Sequence, residues 1–320
     1  MLERILIATD LTESSRSAVR FGSQVATSFG ASVVLLHVLY PSVLPIGSPY
    51  YLAARDSGTR DEHARDHAFV ELTRLRRELC ADVADVELVV PRQRDTASAI
   101  HHHAESSGAT LIVVGSRSAV GLARLARASV AEHLVRLARC PVLVVPARAR
   151  CELRAGRILV ATDVRSGACE RALELGAAWA ARLGARLTFL YAARPQPQAL
   201  ATAGDYGTRA LRAARGGGEA MARAAAHGAG TGYAMTSPGE HGGAEADDVA
   251  VEVMPTLRAA RAIAARAESP DVALVIVAND ETSRVLVSLG SSVAERVVRR
   301  SPVPVLVAPS YGTAAARAHH

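Results

Sequence analysis

An internal repeat constrains this chain more than any other feature of its sequence. Residues 111–145 align without gaps with residues 274–308, and Ser129 falls on Ser292 in that alignment. Each copy contains a short apolar run, a polar stretch, apolar residues at helical spacing and a final apolar run that follows a proline. Because a similar pattern of this length occurs twice, we expect two related domains in tandem.

A second pair of matching segments opens the two halves. The apolar run RILIAT ends at Asp10, and RILVAT ends at Asp163. A polar turn, an amphipathic helical pattern, a glycine and a continuous apolar run follow in each half. Continuous apolar runs are typical of parallel strands that are covered on both faces, and strands that alternate with helices form doubly wound sheets. The sequence therefore predicts an α/β fold with two doubly wound, five-stranded parallel-sheet domains.

Composition shifts mark the domain boundaries. A short basic segment separates the halves, and a Gly/Ala-rich stretch interrupts the second. This stretch holds too few large apolar residues to offset the entropy of ordering, so we expect a mobile insertion with at most one helix, over residues 211–226. The predicted parts are domain 1 at 1–147, a linker at 148–156, domain 2 at 157–310 with the insertion at about 195–248, and a tail at 311–320.

Charge and composition exclude several classes of function. The net charge is +6, the sequence contains no lysine, and aromatic residues make up 4% of the chain. Since the arginines are scattered and stacking residues are scarce, we expect no nucleic-acid partner. No apolar run is long enough to span a bilayer, and Asp10 interrupts the first apolar run, so we expect a cytoplasmic protein and no membrane partner. The four cysteines form no CxxC pair, which indicates reduced structural thiols.

Three segments together resemble one known family. The opening ILIATD, the strand LLHVL and the segment GSRSAVGLARLARASVAEHLVRLARCPVLVV are similar to the universal stress protein family, and both halves carry the pattern. The resemblance implies a Rossmann-like, adenine nucleotide alpha hydrolase-like fold and a role in stress response. Members that bind ATP share a loop of the form Gly, two residues, Gly, nine residues, Gly, then Ser or Thr.

In the first half, this loop is partly retained. Gly115 keeps the first glycine, whereas Ser118 and Ala128 replace the other two. If both replacements need left-handed backbone, each costs about 1–2 kcal/mol, so we expect weak binding of ATP with Mg²⁺. Nearby arginines suit an anion. The residues predicted to contact the nucleotide are Asp10, Val38, Gly115, Arg117, Gly121, Ala128, Ser129 and Val130.

The second half departs further from the family pattern. Ala278, Glu281 and Ser291 occupy the three glycine positions, and Asp280 adds a second negative charge. On the base side, Asp163 is kept, but Ala192 takes the place of Val38. Because these carboxylates would repel phosphates, we expect the second domain to bind no nucleotide and to act as a scaffold.

The sequence leaves two alternatives open and shows no catalytic constellation. No GxSxG nucleophile or pair of carboxylates is evident, so we expect no enzyme beyond slow ATP hydrolysis. In the first alternative neither domain binds nucleotide, the protein is an interaction scaffold, and Gly115 and Ser129 form a plain turn and a helix N-cap. The second alternative is a metal-responsive module that uses His63 and His67, which lie four residues apart on a predicted polar helix. The simpler explanation of these histidines is that they belong to a solvated helix face.

The last apolar run of each half predicts an assembly. A terminal strand at a sheet edge exposes unpaired amides that can pair with another edge, and family members are similar in dimerising through this strand. We expect Val142–Val145 to pair with Val305–Ala308 within one chain, or an equivalent pairing in a homodimer. A further protein partner is expected, but the sequence does not identify it.

Overall fold

The computed structural model divides the chain into two compact units, Met1–Ala138 and Arg139–His320. The structure describes residues 2–40, 57–116, 129–147, 153, 156–162, 167–193, 249–279 and 292–309. The expected insertion at 195–248, with its helix at 211–226, and the tail at 311–320 lie almost wholly outside these ranges. No helix in the described ranges is both long and apolar enough to cross a membrane.

The first unit alternates strands and helices. Its continuous apolar runs form buried strands, and its amphipathic segments form helices that cover them. The elements are β1 (Arg4–Ala8), α1 (Glu13–Phe29), β2 (Ser32–Leu36), α2 (Ser57–Leu79), β3 (Val86–Val89), α3 (Thr96–Ser106), β4 (Leu111–Ser116) and α4 (Val130–Leu137).

The strand order in this unit is β3-β2-β1-β4, and the strands are parallel. The chain moves from β1 outward to β2 and β3, and then crosses back to place β4 on the other side of β1. Ala8 at the end of β1 lies beside Leu36 of β2 and Val114 of β4. The strand order therefore reverses at β1 and β4, the place where open parallel sheets bind ligands.

The second unit repeats this alternation. Its strand order is β5-β10-β9-β6-β7-β8, parallel from β10 to β8. Trp179, the single tryptophan of the chain, lies buried on α5 of this unit. The elements are β5 (Val142–Pro146), β6 (Arg157–Thr162), α5 (Gly167–Leu183), β7 (Arg186–Ala193), β8 (Val249–Pro255), α6 (Ala259–Arg266), β9 (Val272–Ala278), α7 (Val293–Arg300) and β10 (Val305–Ala308).

Strand β5 is the exception to the parallel arrangement. It runs antiparallel to β10, with Val144 beside Val305 and Leu143 beside Leu306. Both leucines are fully buried. A strand from the first copy of the sequence repeat therefore contributes to the core of the second unit.

The predicted α/β fold with two tandem, doubly wound domains is confirmed. Predicted and observed elements differ mainly at their ends. Strand β4 continues through Gly115 to Ser116, two residues past the apolar run Leu111–Val114 from which it is predicted. The sequence predicts that α6 begins at Thr256, but the helix begins at Ala259, since Thr256 Oγ1 accepts a hydrogen bond from the backbone nitrogen of Arg258 in a turn that precedes the helix.

Candidate functional site

The carboxyl ends of β1, β2 and β4 bring three of the predicted site residues to one edge of the first sheet. Asp10 lies two residues beyond the end of β1, and Val38 lies two residues beyond the end of β2. Gly115 follows Val114, the β4 partner of Ala8. Neighbouring strands lie about 4.8 Å apart. The register therefore places Asp10 between Val38 and the end of β4.

A hydrogen-bonded turn joins Asp10 to helix α1. The Asp10 Oδ1 atom accepts hydrogen bonds from the backbone nitrogen of Thr12 at 3.1 Å and from the Thr12 hydroxyl at 2.6 Å. Thr12 is the N-cap residue of α1, and its side chain does not itself cap the helix. Asp10 therefore shapes the turn and places a carboxylate near the positive end of α1.

Two buried hydroxyls form hydrogen bonds that stabilise this turn. The Ser15 hydroxyl donates to the Thr12 carbonyl at 2.9 Å and lies 2.8 Å from the Thr9 hydroxyl. Because the Ser15 proton is used for Thr12, the Thr9 hydroxyl is the donor to Ser15. The Thr9 oxygen also accepts from the backbone nitrogen of Leu11 at 3.1 Å. These bonds fix the direction in which the chain leaves β1.

Leu11 adopts a left-handed backbone conformation, with a φ of 62°. It is the only non-glycine residue with positive φ in the described part of the chain. Such a conformation costs a leucine about 1–2 kcal/mol. Strain of this kind persists where surrounding bonds enforce it, and it is often found at ligand sites.

His37 connects the ends of β1 and β2. Its Nδ1 atom lies 2.9 Å from the Thr9 carbonyl oxygen, and its backbone nitrogen donates to the Val89 carbonyl at 3.0 Å. A carbonyl oxygen only accepts, so Nδ1 must carry the proton, and in the neutral ring Nε2 is then an acceptor. The histidine thus holds the backbone that precedes Asp10 against β2.

The backbone conformation of Gly115 does not require glycine. Its φ is not in the left-handed region, and an added Cβ would meet ordinary contacts, the nearest being the Ser15 Cα at 3.6 Å. Gly115 therefore does not serve as a left-handed loop residue. It lies at the end of β4 close to the first turn of α1, where an added methyl group would contact Ser15 and Ala18.

Ser129 and Val130 begin helix α4 rather than joining the strand edge directly. Ser129 is the N-cap residue, and its hydroxyl oxygen accepts from the backbone nitrogen of Glu132 at 3.2 Å. The predicted N-cap is confirmed, and the hydroxyl proton is left for donation to another acceptor. The predicted site residues Arg117, Gly121 and Ala128 lie outside the described residues.

The second unit keeps the N-cap but has different residues at the carboxyl ends of its strands. Ser292 caps α7 as Ser129 caps α4, with its hydroxyl accepting from the backbone nitrogen of Glu295 at 3.1 Å. Ala278 takes the place of Gly115 at the end of β9, and Ala192 takes the place of Val38. The acidic positions 280 and 281 lie outside the described residues.

The proposed metal pair is exposed. His63 and His67 lie on the solvent side of α2, and no group of three His, Cys, Asp or Glu side chains that could hold a metal ion occurs among the described residues. A cavity of about 440 Å³ also lies along α2, and the described site residues of the strand edge do not line it. Its lining consists of Phe69, Val70, Thr73, Arg74, Arg77 and Glu78.

Thr9, Ser15 and His37 are not among the residues predicted from the sequence, although they organise the strand edge. His37 does carry a signal, because it is a polar residue inside the apolar run SVVLLHVL. Thr9 and Ser15 lie six residues apart on a strand end and a helix start. No single period of a strand or helix brings such a pair together, so pattern analysis does not find it.

The comparisons with known proteins identify the family. The sequence profile of the Universal stress protein family matches residues 1–146 and again residues 155–309. Universal stress protein YxiE of Bacillus subtilis is 26% identical over 147 residues, which are 45% of this chain and 99% of that protein. A universal stress protein of Methanocaldococcus jannaschii is 29% identical over 146 residues, which are 45% of this chain and 82% of that protein.

A solved structure shows the same fold over almost the whole chain. The crystal structure of a universal stress protein from Archaeoglobus fulgidus has a TM-score of 0.61 at 21% identity and covers 96% of each chain. The two family matches and the repeated N-caps thus agree. The chain belongs to the universal stress protein family, with one family domain in each half.

Proposed function

We propose that the first unit binds an adenine nucleotide, ATP with Mg²⁺, weakly, and that the second unit acts as a scaffold. Family membership supports a role in stress response. The observation that carries the nucleotide proposal is the convergence of Asp10, Val38 and Gly115 at the reversal of strand order. Open α/β sheets bind nucleotides at this place.

The local chemistry supports a nucleotide at this edge. Asp10 offers a carboxylate to the polar edge of a base, and Val38 offers an apolar contact to its face. Gly115 adds no side chain at the end of β4. We expect the affinity to be low because two glycines of the family loop are replaced by Ser118 and Ala128.

Family members are generally non-enzymatic. We propose that this chain likewise lacks an efficient catalytic activity and works in the cytoplasm. No described residue at the strand edge forms a nucleophile–base pair. The hydroxyls of Thr9 and Ser15 bond to each other and to the turn, so their role is to position the backbone.

Calorimetry and thermal shift with ATP and Mg²⁺ on the full chain test the proposal. Asp10→Asn keeps an oxygen for the turn while removing the charge, and Asp10→Ala removes both. We expect ATP binding to weaken by about tenfold or more in Asp10→Ala, equivalent to about 1.4 kcal/mol. Asp163→Ala is the matched control in the second half, and it should leave the affinity unchanged.

Two results would count against nucleotide binding. The first is the absence of heat and of a thermal shift at millimolar ATP. The second is equal weakening by Asp10→Ala and Asp163→Ala, since the effect would then not belong to the first unit. Denaturation curves of each variant separate loss of binding from loss of the fold.

A scaffold without nucleotide binding is the second candidate, and the N-caps favour it. Ser129 caps α4 with the same geometry as Ser292 caps α7 in the half that lacks the glycines. The hydroxyl at this position therefore has a structural use that needs no ligand. Absence of ATP binding, together with capture of a protein partner, would support this candidate.

For the assembly, we favour pairing of Val142–Val145 with Val305–Ala308 within one chain over a homodimer that exchanges these strands. The antiparallel register of β5 and β10 supports this choice. Light scattering should give the mass of one chain. An obligate dimer whose chains are joined through these strands would contradict it.

A further inference from the structure

The two halves can be compared residue by residue through their last two helices. Residues 95–145 align without gaps with residues 258–308, an extension of the repeat that includes the starts of α3 and α6. In each unit these helices pack against each other, α3 on α4 and α6 on α7. Differences in charge at matching positions therefore lie at matching places on the two helix pairs.

In the first unit the outer face of this pair is close to neutral. Asp95 caps α3 by accepting from the backbone nitrogen of Ala97 at 3.2 Å, and its Oδ1 atom lies 3.9 Å from Nδ1 of His133 on α4. Hydrogen bonding from Ser98 is the main cause that lowers the pKa of Asp95. The Asp95 carboxylate therefore compensates the partial positive charge at the amino-terminal end of α3.

In the second unit arginine occupies the same positions. Arg258 stands where Asp95 does, and Arg296 stands where His133 does. Because Asp95 and His133 approach within 3.9 Å, we infer that the two arginines lie near each other on the matching helix pair. One further arginine follows on each helix at helical spacing, and all four side chains are exposed. We call this set the basic face; it consists of Arg258, Arg261, Arg296 and Arg300.

The described carboxylates nearest the basic face are paired with other residues, buried or at the far end of α6. Glu252 forms two hydrogen bonds with Arg266, each at 3.0 Å, and Asp271 accepts from Nε of Arg157 at 2.7 Å. Glu295 of α7 is buried, and the exposed Glu268 lies beyond the opposite end of α6. Within the described ranges, no carboxylate lies within 4.0 Å of a basic-face guanidinium.

The helix start adds to the positive potential. Arg258 is the N-cap residue of α6, its side chain makes no capping hydrogen bond, and the first turn contains no acidic residue. Arginine at this end opposes the helix dipole and leaves the first backbone amides without a side-chain acceptor. An anionic group of a bound partner would offset the positive charge at the helix start and accept hydrogen bonds from these amides.

Exposed apolar residues border the same face and indicate the kind of partner. Leu257, next to Arg258, is 77% exposed, and Val293, the first residue of α7, is 36% exposed. Neither helix carries an aromatic side chain on which bases could stack. We propose that the basic face binds an acidic protein segment that carries apolar residues, with carboxylates on the arginines and an apolar side chain on Leu257.

The test uses the full chain and a fluorescein-labelled peptide made of Glu-Glu-Leu repeats. Fluorescence anisotropy should show salt-sensitive binding. The double reversal Arg258→Glu/Arg296→Glu should weaken it by at least about tenfold. Arg20→Glu/Arg77→Glu changes the net charge equally at exposed positions of the first unit and should alter the affinity by no more than about twofold.

Further comparisons separate the alternatives. Leu257→Ser should weaken binding of this peptide but not of a Glu-Glu-Ser peptide, since only the first has apolar side chains for Leu257. The milder Arg258→Ala/Arg296→Ala serves if the reversal unfolds the protein, as monitored by circular dichroism. Equal affinity in the face and control variants would overturn the proposal. So would tighter binding of a single-stranded oligonucleotide of the same charge, because the face would then recognise nucleic acid.

Discussion

Two glycines allow the first helix of each half to approach its sheet closely. Gly22 on α1 faces Ile7 of β1, and an added Cβ would lie 2.8 Å from Ile7 Cδ1 and 3.2 Å from Val113 Cγ1. Gly176 on α5 faces Val160 of β6, whose Cγ2 would be closer still. Glycine normally costs a helix about 1 kcal/mol relative to alanine. Here that cost is offset by packing that a methyl group would prevent.

We expect Gly176→Ala to lower the free energy of unfolding by about 1–3 kcal/mol, because overpacking exceeds the gain in helix propensity. Gly22→Ala should cost less, since the end of Ile7 can rotate whereas the β-branched Val160 is stiff. Urea unfolding followed by circular dichroism measures both.

Gly115→Ala is the control for these variants. Its added Cβ meets nothing closer than 3.6 Å, so stability should change by less than about 0.5 kcal/mol. A loss as large as that of Gly176→Ala would contradict the packing explanation. Weaker ATP binding with unchanged stability would support Gly115 as part of the proposed nucleotide site.

Asp271 links two arginines at the amino-terminal edge of the second sheet. Nε of Arg157 donates to it at 2.7 Å, and Nη1 of Arg266 lies 3.8 Å away. Burial raises the pKa of Asp271, but the hydrogen bond from Arg157 and the charges of both arginines lower it more, so its pKa lies below the ordinary value. The charged form is therefore more favourable in the folded state than in the unfolded state.

This shift predicts how stability depends on pH. The stabilisation from Asp271 should be present above its ordinary pKa of about 3.9, and it should disappear as the pH falls through the lower, folded pKa. At neutral pH, Asp271→Asn should lower the free energy of unfolding by about 1 kcal/mol. We expect no larger effect because a third of the side chain is exposed, so that solvent screens its charge. Urea unfolding at neutral and acidic pH measures the difference from the parent protein.

The exposed Glu268, replaced by glutamine, is the matched control. The Glu268→Gln variant should have the same free energy of unfolding as the parent protein at every pH. If Asp271→Asn lost as much stability in acid as at neutral pH, the ion pairs with Arg157 and Arg266 would not be the cause.

At the level of the element, the segment SVAE specifies the start of a helix in both halves. Ser129 and Ser292 have extended backbones, and each accepts from the amide three residues later. The alanine of each segment is buried, whereas the valine before it is half-buried in α4 and exposed in α7. The repeated tetrapeptide thus codes for a repeated local structure.

Each N-cap should contribute similarly if its role is structural. We expect Ser129→Ala and Ser292→Ala each to lower the free energy of unfolding by about 1 kcal/mol, with recovery in the corresponding aspartate variants. Chemical denaturation measures these effects. A loss limited to Ser292→Ala, with Ser129→Ala affecting only ATP binding, would indicate that Ser129 serves the ligand rather than the helix.

The elements that the sequence predicts best are those with strong patterns. Continuous apolar runs give β1, β2 and β4, and the helix that the sequence predicts over Thr96–Ser106 is α3 with the same ends. The turn at Asp10–Ser15 is harder to predict, because its hydroxyl bonds depend on how α1 meets the sheet. The basic face is missed for a similar reason: arginines that are scattered along the sequence come together only when α6 packs on α7.

At the level of the whole molecule, the boundary of the sequence family differs from the boundary of the compact units. The first family match ends at residue 146, whereas the first unit ends at Ala138. The eight residues between include β5, which pairs with β10 in the second unit. Sequence alignment assigns β5 to the first copy, while its pairing with β10 lies within the second compact unit.

Trp179 allows this assignment to be tested. Because it is the only tryptophan and is buried in the second unit, its fluorescence reports unfolding of that unit. We expect Leu143→Ala, in β5, to shift the fluorescence transition to lower denaturant by the equivalent of about 2–5 kcal/mol.

Leu111→Ala, in β4 of the first unit, is the matched control because Leu111 is also fully buried. It should move the circular dichroism transition and leave that of Trp179 largely in place. Equal shifts of Trp179 fluorescence in both variants would show that the two units unfold together and would contradict separate cores.

The pairing of β5 with β10 also bears on the history of such a chain. A gene divided at the family boundary would yield a second half whose folding unit lacks one of its strands. Once β5 of one copy had become part of the other copy's core, the two copies could no longer separate into independent genes without loss of stability. The duplication would then be retained by this strand, whichever residues change elsewhere in the second copy.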